Sequence, residues 1–315
     1  MKKIFVAVMA MAAFVACSNE EQVAAPQGQA IAFGDAFVDN TTKAIYEGAN
    51  KLTKFTVWGN VNDVPLYGET GATVSTGGDY NTIWTCSETR YWTPSCEFEF
   101  FATAHATVAV GDVVNGIPTK FSYTADGKTD LLCSKGVATA ETDEAGTPTA
   151  VAEGSLKTVG EETVVAFTMK HLLSRIAFKY TVDADVDPDY TYNVTGVKVA
   201  GGYLTGVCTP AGVWSEQTGT MPELTFADIE KDAFVIIPGA PKLTISLTAQ
   251  VVFGGEVITT VPYTITLNQT SEDTDFTFVA GHAYTFAVEL PAPGKEIKFT
   301  VETVDGFGSN ADINM

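Results

Sequence analysis

Side chains able to carry chemistry are few and scattered. His105, His171 and His282 are the only imidazoles. None lies in an HExxH run, and the chain has no GxSxG, P-loop or GxGxxG. His171 sits in Phe167-Thr168-Met169-Lys170-His171-Leu172-Leu173-Ser174-Arg175. No acid or nucleophile in the sequence can be named as its partner, so it reads as a structural residue at a strand end. Asp183, Asp185, Asp187 and Asp189 alternate as calcium ligands would. The EF-hand pattern nevertheless fails, with Pro188 where glycine is needed and Val194 where glutamate is needed. An acidic turn is the simpler reading. Cys86, Cys96, Cys133 and Cys208 form no CxxC and have no metal-ligand spacing with histidine. A Cys86–Cys96 bridge in an oxidising compartment stays open beside the commoner outcome of buried thiols. Trp58, Trp84, Trp92 and Trp214 could stack on a sugar or fill cores. No carboxylate pair can be chosen as acid and base, because that assignment rests on a distance in space. The chain therefore reads as a non-enzyme, with no cofactor and no metal expected.

One cysteine does have a chemical context. Lys2 and Lys3 precede an apolar run from Ile4 to Ala16, too short to span a bilayer. The exit, Phe14-Val15-Ala16-Cys17, resembles a bacterial lipobox, with Phe14 where leucine is usual. Residues 1–16 are expected to be a signal peptide, and Cys17 to be acylated and held in the outer membrane by lipid. Loss of the two lysines leaves 16 basic against 38 acidic side chains, a formal charge of −22. Such a surface repels nucleic acid and anionic membranes, so no nucleic-acid partner is expected.

The elements that would position these groups are strands. Residues 18–29 are polar and read as a tether. Leu243, Ile245, Leu247, Ala249, Val251 and Phe253 fall on one face of an alternating run. After Gly254-Gly255 the alternation resumes to Leu267, which describes a hairpin. Pro262 predicts that the second strand is an edge or carries a bulge. Residues 176–182, 284–290 and 297–302 alternate in the same way. Residues 224–232 are the best candidate for a short helix. Fold class is therefore all-β, expected as two tandem β-sandwiches. The expected division is a 17–43 extension, a 44–162 domain and a 163–315 domain.

Four segments together resemble the fimbrillin family, the pilins and fimbria-associated lipoproteins of Bacteroidetes. They are Phe55-Thr56-Val57-Trp58-Gly59, Arg90-Tyr91-Trp92-Thr93-Pro94 with Phe98 to Ala102, Phe167 to Phe178, and Phe278 to Phe286. Their order and spacing span nearly all of residues 30–307. The resemblance implies two β-sandwiches of transthyretin-like topology, exported as a lipoprotein to the cell surface. It implies partners too: other fimbrial subunits bound by β-strand donation, and a surface protease. In polymerising members the protease cuts in the N-terminal extension and frees the first strand, and a strand from another subunit fills the groove. The matching stretch here is Ile31-Ala32-Phe33-Gly34-Asp35-Ala36-Phe37, followed by Thr41-Thr42-Lys43-Ala44. Ile31, Phe33 and Phe37 would face the groove, and cleavage would fall between Lys43 and Ala44. Lys43 stands where the family usually has arginine, so a Lys-specific or trypsin-like protease would be needed. The tail after Phe307 is polar and non-alternating, which leaves tip, anchor or accessory roles open beside the stalk. The alternative is a non-polymerising surface lipoprotein that binds glycan or a host ligand.

Overall fold

The structure is a computed structural model. It describes residues 28–34, 37–38, 52–76, 82–105, 108–226, 233–239, 241–267, 277–291 and 298–306, with backbone only at 37–38, 105 and 298–306. Among the described residues there is no helix; the chain is all-β, arranged in six sheets.

Ten strands make the largest sheet. Its path runs Phe37–Val38, Thr168–His171, Leu131–Ser134, Glu97–His105, Lys54–Val61, Ala72–Ser75 and Thr85–Cys86. Ala138–Thr142 also pairs with Glu97–His105. The two central strands, Lys54–Val61 and Glu97–His105, are antiparallel, with Phe55 opposite Ala104 and Gly59 opposite Phe100. A Cβ on Gly59 would lie 2.8 Å from the Phe100 ring, so only glycine admits that ring. Alternation sends Phe55, Val57, Phe98 and Phe100 into one apolar core. Trp58 and Phe101 face the other way, into a second core. The centre of this sheet is thus covered on both faces, and both faces need large side chains.

The second core is closed by the C-terminal strands. One four-stranded sheet runs Ala233–Ile236, Ser174–Val182, His282–Leu290 and Lys298–Gly306. The other runs Leu224–Phe226, Tyr190–Gly201, Leu243–Phe253 and Glu256–Leu267. Leu243, Ile245, Leu247, Ala249 and Val251 are all buried, as their period-2 spacing demands. Glu256–Leu267 takes the end position of its sheet, which tolerates Pro262. Its register also slips opposite Val251 and Val252, leaving Ile258 as a bulge residue.

One expectation is corrected. The segment 224–232 does not begin as a helix: Leu224–Phe226 is a strand paired with Val197–Val199. Cross-strand pairing overrides a weak local preference there; residues 227–232 lie outside the described residues. The change of strand partner falls later than residue 162. Glu162–Val165 and Thr168–His171 still pair with N-terminal strands, and pairing within the C-terminal sheets begins at Ser174. The N-terminal body recruits both strands because Val165, Phe167 and Met169 complete its core.

A further four-stranded sheet joins the two bodies. Phe121–Thr124 pairs with Ala109–Val110 on one side and with Thr205–Cys208 on the other, and Trp214–Thr218 follows. Phe121, Tyr123, Leu131 and Cys133 belong to the same core as Phe178, Val199 and Phe286. A shared sheet and a shared core make a stiff joint.

Candidate functional site: the seat of the leading strand

The short strand Ala32–Phe33 is held along both edges. On one side it runs parallel to Glu162–Val165, with Ala32 opposite Val164 and Phe33 opposite Val165. Gly34 N donates to Val165 O at 3.1 Å. On the other side lies an irregular wall of residues 84–92. Ile31 N donates to Arg90 O at 2.8 Å, Trp92 N to Gln29 O at 3.0 Å, and Trp84 N to Phe33 O at 2.8 Å. The segment is the end strand of a three-stranded sheet, and single bridges from the wall occupy its outer edge.

Side chains explain why it seats in this register. Ile31 and Phe33, two residues apart, point to one face. Ile31 is 4% exposed and Phe33 is fully buried. The Phe33 ring meets Phe55 at 6.3 Å and Phe100 at 5.8 Å edge-on, and stacks on Phe167 at 6.4 Å. Those distances suit the aromatic quadrupole. A one-residue slip would turn Ala32 inward and both large side chains out. Gly28 passes so close to the wall that a Cβ would lie 2.7 Å from Trp92 O.

The wall itself is irregular, so side chains must fix it. Arg90 Nε donates to Leu66 O at 2.6 Å, and its guanidinium lies 5.8 Å from the centre of the Tyr67 ring and pairs with Glu88 at 2.8 Å. Thr142 Oγ1 donates to Thr93 O at 2.6 Å and accepts from Cys96 N at 3.0 Å. Trp92 packs against Phe98 and Phe100 at 4.8 and 5.9 Å.

Beyond Gly34, Phe37–Val38 runs parallel to Thr168–His171, with Phe37 opposite Thr168 and Val38 opposite Met169. The Phe37 backbone is thus placed beside the connector between the bodies; its side chain lies outside the described residues. Cys17, Lys43 and Ala44 lie outside the described residues as well.

Three of the four sequence segments singled out above meet around this seat: Phe55, the wall from Arg90 to Trp92, and Phe167. The fourth closes the C-terminal core, with Phe278, Tyr284 and Phe286 packed together and Gly281 N bonded to Leu173 O at 2.9 Å.

Geometry supplied the acid that sequence could not name for His171. Asp130 Oδ2 lies 2.5 Å from His171 Nδ1, while Asp130 Oδ1 accepts from Leu131 N. The pair ties Thr168–His171 to the loop before Leu131–Ser134. The partner is 41 residues upstream, and only the pairing of Leu132 with His171 brings it close. His282 Nδ1 bonds Ala280 O at 3.1 Å, and the side chain of His105 lies outside the described residues.

The tryptophans are structural. Trp58, Trp84 and Trp92 are at most 2% exposed. Trp58 lines a groove of about 600 Å³ with Thr56, Thr73 and Thr103, yet its Nε1 is turned to Glu69 O at 3.0 Å. Trp214 donates to Leu172 O at 2.7 Å and packs edge-on against Tyr123. Cys86, Cys96, Cys133 and Cys208 are all free thiols. Burial pushes Cys133 and Cys208 up to about 12. Among the described residues no cluster of three or more His, Cys, Asp or Glu is arranged to hold a metal. Asp185 N and Asp189 N bond the carboxylates of Asp183 and Asp187, which is turn chemistry.

Comparison with known proteins follows this geometry. The family described as fimbrillin-like matches residues 42–305. No curated protein matches the chain by sequence. Among solved structures, a candidate cell adhesion protein from Bacteroides uniformis superposes with a TM-score of 0.56 at 16% identity, covering 90% of this chain and 100% of that one. A fimbrial protein from Bacteroides vulgatus gives 0.55 at 15%, covering 88% and 99%. A candidate cell adhesion protein from Parabacteroides distasonis gives 0.53 at 12%, covering 90% and 100%. At such identities the likeness establishes a shared fold.

Proposed function

The chain belongs to the fimbrillin-like family, a family of fimbrial and adhesive proteins and not of enzymes, and from that premise we propose a fimbrial subunit assembled by strand donation. Residues 17–43 carry it to the surface on a lipid at Cys17 and cover the seat. A Lys-specific or trypsin-like surface protease then cuts between Lys43 and Ala44. The leading strand leaves, and a strand from another subunit takes its place beside Glu162–Val165.

One observation carries this reading: the leading strand is bonded on both edges and drives Ile31 and Phe33 into a core that is otherwise built from residues 52–169. Burial of those two side chains is worth about 1.5–3 kcal/mol each. Withdrawal leaves an apolar slot between two unpaired backbone edges, and an extended strand satisfies both needs at once. The glycan-binding alternative loses its motive, because the tryptophans that would form a platform are buried or pinned.

Deleting residues 18–43 from the purified protein tests the seat. A ladder of oligomers on an unboiled denaturing gel, alone or with partner subunits, is the expected result. Strictly monomeric protein under all those conditions would overturn polymerisation. Mass spectrometry of the native N-terminus separates the fates of the extension: an acylated Cys17 means a permanent anchor, and a start at Ala44 means a processed pilin.

A further inference from the structure

A groove of about 600 Å³ lies on the face of the large sheet that points away from the N-terminal core. Its floor is a row of threonines on three adjacent strands. Thr56 stands opposite Thr73 on one side and opposite Thr103 on the other. Neighbouring strands lie about 4.8 Å apart, so the row spans about 10 Å. Trp58, two residues on from Thr56, continues the same face. One wall runs from Val108 to Gly111 and includes Ala109–Val110, the end strand of the sheet that joins the two bodies.

Packing alone does not call for threonine here. Phe101, two residues before Thr103 on the same face, is buried in the second core and stacks on Phe121 at 5.8 Å. Thr103 is buried too, at 3% exposed, yet it carries a hydroxyl into the groove. Among the described residues, nothing hydrogen-bonds the hydroxyls of Thr56, Thr73 or Thr103. Valine has nearly the same outline and would cover the sheet without those polar atoms. Whatever fills the groove must bring donors and acceptors to them.

The surroundings narrow the chemistry of that occupant. An apolar molecule would leave the Thr103 hydroxyl buried and unbonded. An anion would meet one ammonium, Lys54, against Glu69 on the same rim and a chain of formal charge −20. A metal would need a ligand cluster, and among the described residues there is none. A neutral molecule rich in hydroxyls fits, with C–H surface to lay against Val108, Val110 and Val113. The volume of about 600 Å³ is that of a small-molecule site. Trp58 offers no ring platform, being 2% exposed with its Nε1 held by Glu69 O.

We propose that this groove binds a neutral saccharide, with Thr56, Thr73 and Thr103 hydrogen-bonded to its hydroxyls and the three valines against the C–H face of a ring. Threonine hydroxyls both donate and accept, as sugar hydroxyls do, so the row can pair with either sense. The site rests on hydroxyls and not on tryptophan stacking. It stands apart from the seat, since it requires neither cleavage nor polymerisation.

The test uses the full chain and saturation-transfer NMR with maltotriose, cellotriose, mannotriose and lactose as probes, and octanoate and trialanine as contrasts. Saturation should reach at least one saccharide and neither contrast. Binding should weaken about tenfold or more in T56V/T103V, which removes two hydrogen bonds at nearly constant shape. T73W fills the mouth of the groove and leaves Thr103 in place; it should abolish binding. The control T260V/T264V removes two hydroxyls from an exposed strand elsewhere and should bind as the parent does. Raising salt from about 0.05 to about 0.5 M should change nothing, because the ligand is neutral. No transfer to any of the four saccharides, binding that survives in T73W, or stronger binding of octanoate or trialanine than of every saccharide would each overturn the proposal.

Discussion

The leading strand and the hairpin of residues 243–267 close the two cores by opposite means. The hairpin is local: eleven residues of Leu243–Phe253 zip onto Glu256–Leu267 across a two-glycine turn. Local closure costs little loop entropy, so its long alternating face is secured by its own neighbour. The leading strand is two residues long and reaches a partner some 130 residues away. It has few backbone bonds, and its hold rests on two buried side chains and a tailored wall. A core finished by a short, sequence-remote piece can lose that piece and keep the rest of its ladder. A core finished by a hairpin cannot.

Substitutions put that contrast to measurement. The largest effect is expected from Phe33→Ala, about 3–5 kcal/mol in equilibrium urea unfolding, since the cavity lies among three rings that cannot collapse. A loss below about 1 kcal/mol would mean the seat is not a core position. Leu247→Ala should cost about 2–5 kcal/mol. It should do so equally in protein cut after Lys43, whereas the cost of Phe33→Ala should vanish once the cut fragment has left. Gly28→Val should cost about 1–3 kcal/mol through the clash with Trp92 O, visible as a tryptophan emission change. A Gly28→Val cost near zero, with tryptophan emission unchanged, would break the picture of a tailored wall.

Alkaline pH probes the joint between the two regions. Burial raises Cys133 and Cys208 from an ordinary value near 9 to about 12. The unfolded thiols ionise first, so their contribution is complete below pH 9 and is lost progressively between 9 and 12. At pH 10.5 the loss should be about 1–2 kcal/mol per thiol, and C133A/C208A should flatten the stability–pH slope over that window. Smallest of all, Val257→Thr should leave stability within about 0.5 kcal/mol, because the side chain is 52% exposed and belongs to neither core.

Much of the hairpin was legible beforehand. Alternation from Leu243 to Phe253, the Gly254-Gly255 turn and the edge role signalled by Pro262 all appear in the strand, turn and sheet position observed. The seat was legible only in outline. Ile31 and Phe33 were marked only by the family resemblance, and the structure places both in the N-terminal core. Their partners did not stand out. Nothing local marks the 84–92 wall as a sheet edge, since it is irregular and bonded through Arg90 and Thr142. His171 failed to find its acid for the same reason: Asp130 is near only after two strands pair. The later change of strand partner, past Thr168–His171, is likewise a matter of which core Phe167 and Met169 fill.

The sequence by itself determined the all-β class, the alternating faces, the main turns and the absence of any recognisable catalytic motif, because each depends on residues a few positions apart. Tertiary structure alone decided that Ile31 and Phe33 sit between a parallel partner strand and an irregular wall, that the two bodies share a sheet, and that Val257 and Ile258 are turned out together. Those depend on pairing across long loops and on a one-residue slip in register, and neither leaves a period in the sequence.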